Sequence, residues 1–86
     1  MKKMNIILYT KKGCPWCAGV LKVLRINKIN FEERKVLENI KYFKELVDKS
    51  GQSKTPTMEI DGAIVATDSD AVEISDILKK KGILGK

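Results

Sequence analysis

The stretch Lys11-Lys12-Gly13-Cys14-Pro15-Trp16-Cys17-Ala18-Gly19-Val20-Leu21 decides how this chain folds, because it turns a strand into a helix and leaves two sulfurs at the junction. Pro15 suits the first turn of a helix beginning near Cys14, where its missing N–H has no partner to lose. Cys17, Val20, Leu21 and Leu24 then recur at helical spacing. Lys22, Arg25 and Lys28 crowd the far end, where the helix dipole favours cations. Upstream, Met4 to Tyr9 is a short, β-branched, nearly continuous apolar run bounded by polar residues. That is the pattern of a strand buried on both faces.

Downstream, Phe31 to Val36 reads as a second, more polar strand with four charged residues inside it. Asn39 to Lys49 carries Ile40, Phe43, Leu46 and Val47 on one helical face, and Gly51 follows as the stop. Met58-Glu59-Ile60 and Ala63-Ile64-Val65 flank Asp61-Gly62, a two-residue hairpin turn that calls for positive φ. The last helix opens at Asp70, with Glu73 three residues on as in a capping box, and buries Ile74, Ile77 and Leu78 before Gly82. The order is therefore β, α, β, α, β, β, α. A helical crossover joins the first two strands and makes them parallel, so the expected architecture is an α/β mixed sheet with helices on its faces.

With 86 residues, 43% of them hydrophobic and 33% charged, the expectation is one folded domain spanning residues 1–86. There is no room for a second catalytic domain, and the composition fits neither disorder nor a fibrous class. Met1-Lys2-Lys3 opens like a signal peptide, but the run Ile6-Ile7-Leu8-Tyr9 is shorter than an h-region and lacks a small-residue cleavage site. No run approaches the roughly 20 apolar residues of a membrane span. The expected location is thus the cytoplasm, with no membrane partner. There, two neighbouring cysteines are more often redox-catalytic or metal-binding than a structural staple. The formal charge of +6 comes from scattered lysines, and the one run, Lys79-Lys80-Lys81, falls where a helix ends and compensates its dipole. No nucleic-acid partner is expected.

Cys14 and Cys17 stand at i and i+3, on one face of a first helical turn and within reach of a disulfide. Cys14 lies at the helix N-terminus, where free N–H groups and the dipole favour the thiolate, and Lys11 and Lys12 add positive charge nearby. It is assigned as the nucleophile. Cys17, one turn inside on the apolar face, suits the resolving role. The competing metal reading lacks its other half, since the chain has no histidine and no third cysteine. No metal site is assigned. Thr55-Pro56-Thr57 reads either as an ordinary strand-entry turn or as a cis peptide that brings the backbone at Thr55 beside the sulfurs, ready to pair with an extended substrate. The dithiol favours the second. Trp16 reads as an exposed apolar wall beside Cys14, the alternative being a merely packed aromatic.

With these residues in view, the chain resembles the glutaredoxins, and through them the thioredoxin fold, over nearly its whole length. The resemblance rests on Tyr9-Thr10-Lys11-Lys12-Gly13-Cys14-Pro15-Trp16-Cys17, then Thr55-Pro56, then Ser69-Asp70. It implies a thioredoxin-like fold, a four-stranded mixed sheet flanked by three helices, with a cis Pro56. It also implies reduction of protein disulfides or glutathione mixed disulfides, by a monomer with no tightly bound cofactor and glutathione as reductant. On the same resemblance Lys11 faces the glycine carboxylate of glutathione, the Thr55 backbone pairs with its cysteine, and Ser69 and Asp70 hold its γ-glutamyl end at a helix N-terminus. Asp70 alone reads equally as an N-cap.

Two departures from the family pattern stand out. Lys54-Thr55 precedes the proline where Thr-Val is usual, and Lys54 is a candidate second carboxylate partner. Ala66-Thr67 replaces a Gly-Gly pair that lets a ligand approach the backbone, which counts against glutathione. The resemblance therefore leaves two further readings open. One is a glutaredoxin-like redoxin recycled by a thioredoxin-reductase-type flavoprotein, donating electrons, for example, to ribonucleotide reductase. The other, of a different class, is a dimeric iron-sulfur cluster carrier using Cys14 and external glutathione.

Overall fold

The computed structural model describes residues 5–68 and 70–82. Seven elements follow one another: β1 (Ile6–Thr10), α1 (Pro15–Ile26), β2 (Glu32–Lys35), α2 (Ile40–Ser50), β3 (Thr57–Ile60), β4 (Ala63–Thr67) and α3 (Ala71–Lys80). They form one four-stranded mixed sheet in the order β2-β1-β3-β4, parallel between β1 and β2 and antiparallel elsewhere. This is the α/β, thioredoxin-like arrangement expected from the sequence. Element limits differ by a residue or two: β2 lacks Phe31 and Val36, and Met4 lies outside the described residues.

The alternation of β1 distributes its side chains between two cores. Ile6 and Leu8 join Val20, Leu24, Met58, Ile60, Ala66, Ile74 and Leu78 on the face covered by α1 and α3. Tyr9 joins Val36 and Leu46 on the face covered by α2, with Ile7, Tyr42 and Phe43 packed alongside. The strand is central, and every side chain except the partly buried Ile7 is withdrawn from water. α1 and α3 approach each other at Gly19 and Ala71, where a methyl on Gly19 would stand 3.6 Å from the Ala71 Cβ. The second turn of α1 is therefore a neighbour of the first turn of α3.

α2 departs from its expected apolar stripe. Of its four apolar positions only Leu46 is buried, while Ile40 is 66% and Val47 37% exposed. Polar contacts supply the rest of its attachment. The Tyr9 hydroxyl donates to Glu45 at 3.1 Å, Lys49 pairs with Glu59 at 3.0 Å, and Arg34 of β2 pairs with Glu45. Glu59 is buried within β3 and is compensated by that lysine, as a buried carboxylate must be. Burial first, then the neighbouring Glu45 and Glu59, push the Tyr9 phenol up to about 12, so it remains a hydrogen-bond donor throughout the physiological range.

Local signals set the boundaries. Asn39 caps α2 by accepting from the Lys41 N–H at 2.9 Å, and Gly51 ends it in the left-handed conformation. Asp61 and Gly62 both have positive φ in the β3–β4 turn, and the Asn5 N–H donates to the Asp61 carboxylate at 2.8 Å. β4 runs two residues further than expected, through a bulge at the level of Met58 and Glu59. That extension places Ala66 opposite Met58 in the core.

Because Leu46 is the one fully buried apolar anchor of α2, Leu46→Ala should lower unfolding stability by about 2–5 kcal/mol in urea titration. Ile40→Ala on the same helix should change it by less than about 0.5 kcal/mol.

Candidate active site

Cys14 is the N-cap of α1, in extended backbone conformation, and Pro15 occupies the first helical position. The turn before it closes through the Cys14 N–H, which donates to the Lys11 carbonyl at 3.2 Å, with Gly13 at φ 83°. This left-handed residue swings the chain from β1 into the helix. The Cys14 sulfur then takes the place a Ser or Asp oxygen usually fills in a cap. It accepts the Cys17 N–H at 3.3 Å.

The sulfur has a second partner across the fold. The Thr55 carbonyl, which precedes a cis Thr55–Pro56 bond, stands 3.7 Å from Cys14 Sγ and accepts its thiol proton. Thr55 and Pro56 are buried. The segment carrying them is held by its own side chains: the Gln52 carboxamide accepts the Lys54 N–H at 2.6 Å and donates to Thr57 Oγ1 at 3.1 Å, and Thr57 Oγ1 donates to the Lys54 carbonyl at 2.7 Å.

The two thiols are unpaired and differ in surroundings. Cys14 is partly exposed and Cys17 is buried. Partial burial pushes the Cys14 thiol up. The hydrogen bonds to the Cys17 side chain and N–H, to the Thr55 side chain and to the Trp16 N–H outweigh it and leave Cys14 below the ordinary thiol value. Cys17 moves the other way, to about 11, through burial first and then its hydrogen bond to Cys14. From the sequence, Lys11 and Lys12 are expected to favour the thiolate. The principal lowering influences are instead these hydrogen bonds.

Lys11 and Lys12 do flank the sulfurs. They line a cleft of about 300 Å³ together with Cys14, Cys17, Glu33, Lys35 and Glu38. Trp16 is 52% exposed at the first turn of α1, which fits a wall beside Cys14 better than a packed core aromatic. Asp70 is the N-cap of α3, its carboxylate accepting the Glu73 N–H at 2.9 Å. Ser69 lies outside the described residues. Lys54, the candidate second carboxylate partner, has its ammonium 3.8 Å from the Asp68 carboxylate. Asp68 was not among the expected site residues, and its position two residues before an expected cap was the only available signal. No group of three Cys, Asp or Glu side chains converges on a common point among the described residues, and no helix among them is long and apolar enough to cross a membrane.

Comparison with known proteins agrees with this geometry. The family model for glutaredoxin matches residues 6–65. A glutaredoxin-like 8.6 kDa protein encoded in a rubredoxin operon of Clostridium pasteurianum is 32% identical over 75 residues, covering 87% of this chain and 99% of that protein. Glutaredoxin 3 of Escherichia coli K12 is 30% identical over 57 residues, 66% of this chain and 69% of its own length. Among solved structures, a mutant form of the thioredoxin-like protein BC3987 superposes with a TM-score of 0.77 at 30% identity, over 96% of this chain and 99% of that one.

Since Cys14 lies below the usual thiol value and Cys17 above it, alkylation by iodoacetamide should select Cys14 at pH 7. Its rate should climb with pH as the thiolate forms, with a midpoint below that of an ordinary thiol. Cys17→Ala removes a hydrogen-bonding side chain and should move that midpoint upward, as read by the pH dependence of alkylation.

Proposed function

The chain belongs to the glutaredoxin family, and from that premise we propose that it is a dithiol thiol-disulfide oxidoreductase in which Cys14 attacks and Cys17 resolves. The observation that carries the reading is the opposite displacement of the two thiols on one helical turn. A partly exposed sulfur that accepts the Cys17 N–H is suited to be a nucleophile at neutral pH. A buried thiol three residues on is suited to wait for a disulfide to form beside it.

In the first step the Cys14 thiolate attacks one sulfur of a substrate disulfide. A mixed disulfide forms, and the other substrate sulfur leaves as a thiolate that takes up a proton. In the second, Cys17 loses its proton and attacks the Cys14 sulfur. The Cys14–Cys17 disulfide forms, the remaining substrate sulfur departs and is protonated, and two electrons have passed from the protein to the substrate. Burial of Cys17 delays the second step until the substrate sulfur is bonded to Cys14. The Thr55 backbone beside Cys14 offers an extended substrate a place to pair as an added strand. The resting enzyme is then restored by an external thiol reductant.

For that reductant the family resemblance favours glutathione, bound along Lys11, Thr55 and Asp70. A second reading, a redoxin recharged by a thioredoxin-reductase-type flavoprotein, is supported by Ala66-Thr67 standing where the family usually carries Gly-Gly, with the Ala66 side chain part of the core. The proposed substrates are protein disulfides or glutathione mixed disulfides, and the working unit is a monomer in the cytoplasm.

Cys14→Ser should abolish disulfide reduction, whereas Cys17→Ser should accumulate a mixed disulfide visible by mass spectrometry; reduction that survives Cys14→Ser would reject the assignment. Parallel assays should separate the electron sources. Faster turnover with glutathione and glutathione reductase supports the first reading, and faster turnover with NADPH and thioredoxin reductase supports the second.

A further inference from the structure

Disulfide closure asks of Cys17 something its surroundings oppose. The residue is 3% exposed, yet its thiol must part with a proton before the sulfur can attack Cys14. Burial, then the hydrogen bond to Cys14, push that thiol up to about 11, and the Thr55 side chain and the Lys11 N–H act against them by favouring the thiolate. The Lys11 N–H belongs to the peptide that ends β1. What holds that peptide therefore bears on the second step.

The carbonyl of the Thr10–Lys11 peptide accepts the Val36 N–H at 3.0 Å, and the next carbonyl, that of Lys11, accepts the Cys14 N–H at 3.2 Å. The buried Thr10 hydroxyl donates to Glu33 Oε2 at 2.9 Å, and Oε1 of the same carboxylate stands 3.6 Å from the Arg25 guanidinium of α1. In the parallel register Glu33 lies opposite Leu8, so its side chain rises on the sheet face that Leu8 and Thr10 share and α1 covers. Thr10, Lys11, Cys17 and Glu33 accordingly line one cleft. The other charged groups there are the Lys11, Lys12 and Lys35 ammonium groups and the Glu38 carboxylate. Of the two carboxylates, Glu33 is the one hydrogen-bonded to β1.

We propose that Glu33 is a positioning residue for the resolving step: by holding Thr10 it keeps the Lys11 N–H directed at the Cys17 sulfur as that sulfur becomes a thiolate. This role rests on the dithiol reading above and concerns its second step alone. There Cys17 releases a proton, its sulfur bonds to that of Cys14, and the substrate sulfur leaves with the electron pair of the broken bond and is protonated. The nucleophile is held separately, by the Cys17 N–H and the Thr55 carbonyl, so the first step should not respond to Glu33. A carboxylate acting only through space would do the opposite, since its negative charge disfavours a nearby thiolate.

The test uses the full-length protein with Glu33→Ala, which removes the acceptor for Thr10, and Glu33→Gln, which removes the charge but keeps an oxygen for the hydroxyl. Reduced protein is mixed with excess 2-hydroxyethyl disulfide and quenched in acid at intervals. The Cys14 mixed disulfide is followed by mass spectrometry, its rise reporting the first step and its decay the second. Glu33→Ala should slow the decay about threefold to tenfold at pH 7 and move its pH midpoint upward, with the rise within about twofold of wild type. Glu33→Gln should restore the decay. Thr10→Val, which keeps the side-chain shape and loses the hydroxyl, should reproduce Glu33→Ala and carries the test if that variant does not fold. Unchanged decay overturns the proposal, as does equal slowing of rise and decay, or a decay quickened alike in Glu33→Ala and Glu33→Gln. In each case a wild type that closes the Cys14–Cys17 disulfide leaves the dithiol reading standing. A wild type whose mixed disulfide never decays overturns that reading, and the role of Glu33 with it.

Discussion

The hydrogen bond from the Cys17 N–H to the Cys14 sulfur is the contact on which fold and chemistry both depend. It is a helix cap, satisfying one of the free N–H groups at the start of α1, and it is also part of what holds the Cys14 thiol low. Had an Asp or Ser side chain capped α1, the helix would start as well but would present no redox sulfur. The cap ties the site to the core, because the same helical turn that bonds Cys14 also buries Cys17 and leads to Val20 and Leu24.

The rest of the molecule holds that helical start against the segment around Thr55. β1 delivers the chain to the Cys14 turn, and its neighbour β3 follows directly on the Thr55–Pro56 bond. The antiparallel register of these two strands, Tyr9 opposite Thr57, therefore fixes how near the Thr55 carbonyl comes to the sulfur. The two faces of the sheet are secured differently. Beneath α1 and α3 the contact is almost wholly apolar, whereas α2 rests on Leu46 together with a group of charged partners centred on Tyr9, Glu45, Glu59 and Lys49. The Cys14 sulfur lies at the start of α1, a helix of the apolar side.

Most of the fold was legible because each element carried its own local signal. The apolar run before Gly13, the proline after Cys14, Asn39 and Gly51 around α2, and Asp61-Gly62 between the last two strands all act within a few residues. What could not be read depended on partners distant in the chain. The partial exposure of α2 follows from Glu45 and Lys49 finding Arg34 and Glu59, a pairing that periodicity does not encode. The extra length of β4 follows from a bulge against β3. In the site, Cys14, Cys17 and Thr55 were legible as a motif, and the structure brings them together. The cause of the low Cys14 value was not, since hydrogen bonds from one turn of helix matter more here than nearby lysines that solvent screens. Lys54 was recognised as a charge near the groove, but its partner Asp68, fourteen residues on, was visible only once the β4–α3 turn was in place.

The central claim is that Cys14 and Cys17 form a single two-electron unit. Equilibrating the protein in dithiothreitol redox buffers, alkylating the remaining thiols and counting the labels by mass spectrometry measures this directly. The account predicts that both labels vanish together, with no singly labelled species, along a curve of two-electron steepness. Loss of one label at a time, or retention of both under conditions that oxidise an ordinary vicinal dithiol, would contradict it.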